Sequence, residues 1–135
     1  MGAWSEDAFG NDAACDWSGE FLDNPGLEKV KQAIDIDLMS EDYLEYDDAC
    51  AALVACEIIA RLKGNWGKKS AYSEAIDNWV ETSDIVPDKQ LTNKAVDTIA
   101  RIVGENSELR ELWDEDGENV KWHFEMDNLL VRIND

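Results

Sequence analysis

Apolar residues recur at a helical spacing along nearly the whole chain. The strongest pattern is DDACAALVACEIIARLKG, residues 47–64, where Ala49, Ala52, Leu53, Cys56, Ile59 and Ala60 fall at i, i+3, i+4, i+7 intervals. Asp47 and Asp48 suit the positive end of that helix's dipole, Arg61 and Lys63 suit its other end, and Gly64 closes it. Because it is apolar on most sides, it is predicted to be the central helix. Upstream, Asn11 or Asp12 reads as the N-cap of a helix that runs to about Leu22 and stops at the Pro25–Gly26 turn. LEKVKQAIDIDL then sets Leu27, Val30, Ile34 and Leu38 on one face and turns Lys29 and Lys31 away. MSEDYLEY breaks the period and is compatible with extended backbone.

Downstream, NWGKKSAYS reads as a loop and SEAIDNWVET as a short helix, with Ser73 as candidate cap and Ile76, Trp79 and Val80 inward. Pro87 marks the next boundary. DKQLTNKAVDTIARIVG repeats the amphipathic pattern with Leu91, Ala95, Ile99, Ile102 and Val103, ending at Gly104. A shorter helix starts at Ser107 with Leu109, Leu112 and Trp113, and DEDGEN interrupts it. Residues 118–133 form the last helix, with Trp122, Met126, Leu129, Leu130 and Ile133 on its apolar side. No repeat and no Gly/Ser-rich linker divides the chain. The expectation is a single all-α domain over residues 1–135, a compact bundle of six or seven helices with an extended N-terminal segment and a short extended stretch at Trp4 or Leu44.

The chain has 135 residues, 44% of them hydrophobic, and six tryptophans, which is ample material for one core. It has no apolar run of bilayer length, and its first twenty residues lack the basic and apolar regions of a secretory leader. Glu6 stands where myristoylation of Gly2 would need Ser or Thr. A cytoplasmic protein without a membrane partner is expected. Cys15, Cys50 and Cys56 are odd in number, form no CxxC and have no neighbouring His, so reduced structural cysteines are expected and no zinc site.

Charge changes the picture more than composition does. Thirty-one acids stand against twelve bases, for a net charge of −19. Residues 1–57 hold 15 acids against Lys29 and Lys31, residues 58–103 hold 6 acids and 7 bases, and residues 104–135 hold 10 acids and 3 bases. Two acidic ends flank a near-neutral middle, so one strongly negative face is expected. That sign excludes nucleic acid as a ligand and suits a basic protein partner. Ordinary solubility would leave the same signature.

Residues with candidate chemistry are few. His123 is the only histidine, and no nucleophile is set beside it by sequence. Asp12 and Asp16 form an i, i+4 pair that could share a proton or a metal, as could Asp47 and Glu57 if the fold brings other acids near. Glu57 lies inside the most apolar helix, so it must pair with an arginine, reach a polar strip, or carry a raised pKa as a functional acid. The loop at 114–119 fails the calcium pattern, because taking Gly117 as the sixth position puts Leu112 at the first. GNWGKK lacks phosphate-loop spacing. It belongs to the one basic cluster, Lys63, Lys68 and Lys69 around Trp66, which could meet an acidic partner or the chain's own acidic ends. No cofactor and no metal are expected.

Gly2, Ala3 and Trp4 followed by Phe9, Asn11, Asp12, Ala14, Asp16 and Trp17 resemble the start of a family of small bacterial proteins, the domain-of-unknown-function family 4259. Its members begin Gly-x-Trp and continue Phe-x-Asn-Asp-x-Ala-x-Asp-Trp. ACAALVACEIIARLKG and SELRELW resemble its middle and end, so the likeness covers most of the chain. Members often carry Gly where this chain has Ser5 and Asp7. The resemblance implies no reaction, and physically the motif reads as architecture. Trp4 and Phe9 would pack the N-terminus on the bundle, Asp12 would cap or pre-charge the first helix, and Trp17 would face the core. Asp16 is unexplained by capping; it would bond a buried group such as a Trp N–H or be offered to a ligand.

The expected function is therefore binding, by an acidic protein that neutralises a basic partner, such as the immunity protein of a nuclease toxin. The acids expected to meet it are Glu41, Asp42, Glu45, Asp47 and Asp48, with Asp114, Glu115, Asp116 and Glu118. An enzyme or metal protein using Asp12, Asp16 and Glu57, or a mimic of nucleic-acid charge, are the alternatives. The sequence leaves the oligomeric state open.

Overall fold

A helix that is apolar around most of its circumference must be surrounded, and α3 (Tyr46–Leu62) is surrounded. In the computed structural model, which describes residues 6–135, every residue from Ala52 to Arg61 is buried. Helices α1 (Asp12–Asp23), α2 (Leu27–Leu38), α4 (Glu74–Glu81), α5 (Lys89–Ile102), α6 (Glu108–Trp113) and α7 (Val120–Asn134) all pack on it. Helix α5 also packs between α2 and α7, and α1 touches α4. The described residues thus form an all-α bundle of seven helices without a strand, and an isolated parallel bridge joins Leu44 to Ser107.

Local chemistry accounts for the element ends. Asn11, not Asp12, is the cap of α1: its Oδ1 accepts from the Ala14 N–H at 2.7 Å, and Asp12 lies in the first turn. Asp88, Ser107 and Asn119 cap α5, α6 and α7 in the same way. Gly64, at φ +89°, supplies the left-handed residue that ends α3. Ser73 stands at the start of α4 without capping it, because its hydroxyl is turned to Asp77 and the Ser70 carbonyl. Of the N-terminal segment, residues 6–10 fold into bends in which the Asp7 carboxylate accepts from the Phe9 N–H at 2.9 Å. Phe9 is buried, as the motif implies, whereas Trp4 lies outside the described residues.

The apolar stripes match the periodicity except where charge enters the core. On α2 the buried face is Val30, Ala33, Ile34 and Asp37, and Leu38 is only half-buried. On α4, Asp77 is buried beside Ile76 and Val80. Arg61, expected to serve the exposed end of α3, is 2% exposed. The three cysteines are free; burial pushes the Cys50 thiol up to about 12 and that of Cys56 well above its usual range, so both stay protonated and inert. Among the described residues no helix is long and apolar enough to cross a membrane.

Candidate functional site

The connection between α2 and α3 is drawn onto α6 by backbone pairing. The Leu44 N–H donates to the Asn106 carbonyl at 2.8 Å, and the Glu108 N–H donates to the Leu44 carbonyl at 3.0 Å. Leu44 is fully buried and anchors the pairing, while its neighbours point outward. Two side-chain bonds extend it: the Tyr43 hydroxyl donates to Glu111 Oε1 at 2.7 Å, and the Tyr46 N–H donates to Glu108 Oε1 at 2.8 Å. Arg101 steadies the facing loop by donating to the Glu105 carbonyl at 2.9 Å and the Asn106 carbonyl at 3.3 Å; Asn106 there adopts φ +58°.

The consequence is electrostatic. Glu41, Asp42, Glu45 and Asp47, all exposed, are brought beside exposed Glu105, Glu108 and Glu111, and α6 leads on to exposed Glu115, Asp116 and Glu118. Two acidic stretches about sixty residues apart in sequence become neighbours on one surface. Tyr43, 43% exposed, sits in it, and its hydroxyl is pushed up to about 12, first by the hydrogen bond to Glu111. Met39, at the edge, is 77% exposed. Asp48 is half-buried.

Asp114 has a different setting from the acids beside it. His123 Nε2 lies 2.9 Å from Oδ2 and 3.2 Å from Oδ1, the Asn119 N–H donates to Oδ1 at 2.9 Å, and Arg110 Nε is 3.5 Å from Oδ2. Burial lifts its pKa, but those donors outweigh it and the net shift is downward. The cluster ties the end of α6 to the first turns of α7, which gives His123 a structural partner.

A second charged cluster is enclosed. Arg61 Nε donates to Asp77 Oδ1 at 2.7 Å, its Nη1 to Glu57 Oε1, and its Nη2 to the Lys68 carbonyl at 2.9 Å. Arg132 forks onto Glu57, Nη1 to Oε1 and Nη2 to Oε2, both at 2.9 Å. Ser73 donates to Asp77 Oδ2 at 2.7 Å. The Arg61 guanidinium lies 5.1 Å from the Phe9 ring centre and 5.8 Å from that of Trp66. Two acids and two arginines thus balance in a low-dielectric site with their donors and acceptors paired. Gly67 completes it, since a Cβ there would lie 2.7 Å from Arg132 Nη1. Gly67→Ala is expected to push the Arg132 guanidinium off Glu57, and because that group is the far end of a flexible, half-buried side chain the cost in urea unfolding should stay at about 1 kcal/mol.

Of the alternatives open to an acid in an apolar helix, Glu57 takes arginine partners, and no hydrogen bond joins it to Asp12 or Asp16. Those two are exposed on α1, and Asp16 has no partner among the described residues. Trp17 is half-buried and stacks on Phe21 at 5.5 Å. Of the basic cluster, Lys63 donates to the Ile133 carbonyl, and Lys69 lies 4.3 Å from the Trp66 ring centre and pairs with Glu81 at 3.4 Å. Among the described residues no three His, Cys, Asp or Glu side chains are grouped to hold a metal ion.

Asp37, Asp77 and Arg132 were not singled out by periodicity, although Asp37 lies on the i, i+3, i+4, i+7 series from Val30 and so breaks a core stripe. Both Asp37 oxygens are buried without a hydrogen-bond partner, and so is the Thr98 hydroxyl on α5 that stands toward it. Burial pushes the Asp37 carboxyl up to about 7, against the pull of Arg101 and Thr98 and with the push of Asp48.

A family model, Domain of unknown function (DUF4259), matches residues 2–125. Comparison with curated proteins and with solved structures returns no match.

Proposed function

The chain belongs to the DUF4259 family, and we propose from its surface that it is an acidic cytoplasmic binding protein that neutralises a basic protein partner. In this reading it acts as the immunity protein of a toxin such as a nuclease. The observation that carries the reading is the pairing of Leu44 with Asn106 and Glu108, which merges the acids at 41–48 with those of α6 around exposed Tyr43. A nuclease presents a basic cleft to its phosphate substrate. A negative face with an aromatic residue in it suits such a cleft, steering the encounter by charge and holding the complex by the apolar contact.

The test is capture of partners on immobilised protein from the lysate of its own organism, washed at low and then high salt. A basic protein released by salt, whose toxic or nuclease activity the purified chain suppresses, is the expected result. Reversing Glu41, Asp42 and Glu45 together with Glu115, Asp116 and Glu118 to lysine should weaken that complex about a hundredfold or more while the fold persists. Retained affinity in the reversed variant, with an unchanged circular dichroism spectrum, would remove the acidic face from the interaction.

A further inference from the structure

Asp16 and Trp17 of the N-terminal motif lie at the surface edge of the bundle: Asp16 is exposed and has no partner among the described residues, and Trp17 packs on the core but stays half-buried. What they adjoin is a groove of about 230 Å³ between α1 and α2, floored by α3. Its apolar wall is Trp17, Ala33, Ile36 and Ala51, and its charged rim is Glu20 and Asp48 with Lys29. Two acids thus share the groove with one lysine, and Asp16 lies one turn before Glu20 on α1, outside the lining. The volume equals about seven or eight waters, roughly the non-hydrogen content of one arginine side chain. Asp48 is also the last acid of the 41–48 stretch, so the groove opens at the edge of the acidic face.

The geometry points to this groove as the seat of an arginine side chain presented by the basic partner, with its stem on Ala33, Ile36 and Ala51 and its guanidinium against Trp17 between Glu20 and Asp48. The inference rests on the acidic-face reading and adds a specific anchor to it. Arginine suits the site better than lysine because a flat guanidinium can stack on an indole while its edge donates to two carboxylates. The stacking of Trp17 on Phe21 fixes the ring before anything binds, so little side-chain entropy is lost on binding. Lys29, which makes no ion pair among the described residues, is the lining group that opposes a cation.

The probes are blocked hexa-arginine and hexa-lysine peptides, added to the full chain at low ionic strength and followed by NMR of indole N–H and alanine methyl signals. Hexa-arginine is expected to shift the Trp17 indole and the Ala33 and Ala51 methyls and to bind about fivefold tighter than hexa-lysine. Glu20→Gln, at an exposed position, and Asp48→Asn, at a half-buried one, should each bring that ratio toward one, and Lys29→Met should strengthen hexa-arginine binding about twofold. Equal affinities, with shifts confined to residues 41–48 and α6, would overturn the groove and leave the acidic face standing. Absence of any shift with either peptide would overturn both.

Discussion

Arg61→Ala is expected to lower the unfolding free energy by about 3–5 kcal/mol, a large part of what a domain of this size has. The reason is what the substitution leaves behind rather than the charge it removes. Asp77 would keep only Ser73 as a partner and Glu57 only Arg132, both in sites largely closed to water, and the Lys68 carbonyl would lose its donor. Two carboxylates against one arginine in a poorly screened interior repel each other, and each has lost charge-assisted bonds. The Phe9 and Trp66 rings would lose the cation between them, so the N-terminal segment and the loop after α3 should loosen first. Urea unfolding at pH 7 gives the loss, and hydrogen exchange at Phe9 and Trp66 reports the order of loosening. A loss below about 1 kcal/mol would mean that water enters the cluster and solvates the acids. Arg61→Met with Asp77→Asn, which removes one charge of each sign and leaves Glu57 paired with Arg132, should recover much of the loss.

The domain should also be more stable at pH 5 than at pH 8, and Asp37 should be the main cause. Its carboxyl titrates near the ordinary aspartate value in the unfolded chain and at about 7 in the folded one. Between about pH 4 and pH 7 the folded state therefore holds a proton that the unfolded state has released. Stability falls as pH rises through that window and levels off above 7, a change of up to about 4 kcal/mol for three pKa units. The groups that act on this carboxyl are Arg101 and the Thr98 hydroxyl on α5 and Asp48 on α3, with the Cys56 thiol close by. Arg101 and Thr98 favour the ionised form, but burial and Asp48 outweigh them. Asp37→Asn keeps the shape without the titration and should flatten the slope, leaving the variant more stable than the parent at pH 8 and near it at pH 5. An unchanged slope in the variant would assign the pH dependence to general self-repulsion at a net charge of −19.

Both results turn on charged residues in the core, which is where reading along the chain reaches its end. Periodicity assigned α3, α5 and α7 because their buried positions repeat within one or two turns, and that repeat is written in consecutive residues. It was misled at Arg61 because a base near a helix end has two physical uses, meeting the dipole in water or pairing in the interior. Only the positions of Asp77 and Glu57 decide between them. Leu38 was chosen over Asp37 for the same reason: an acid in a stripe reads as its boundary unless neighbouring helices close over it. The break at MSEDYLEY was legible, whereas its partner at Ser107 was not, since one isolated bridge leaves no repeating pattern.

What this sequence determined by itself is therefore what short-range forces determine: six or seven helices with the Gly64 stop, a central apolar helix, and an acidic net charge concentrated toward both ends. Tertiary structure alone decided which of those charges meet. Glu57 and Arg132 are 75 residues apart, and Tyr43 and Glu111 are 68 apart. At such separations no local rule ties one residue to another. Contact follows from how the apolar faces of seven helices pack together, and a charge is then either enclosed and must find its counter-charge or is left outside to act on a partner.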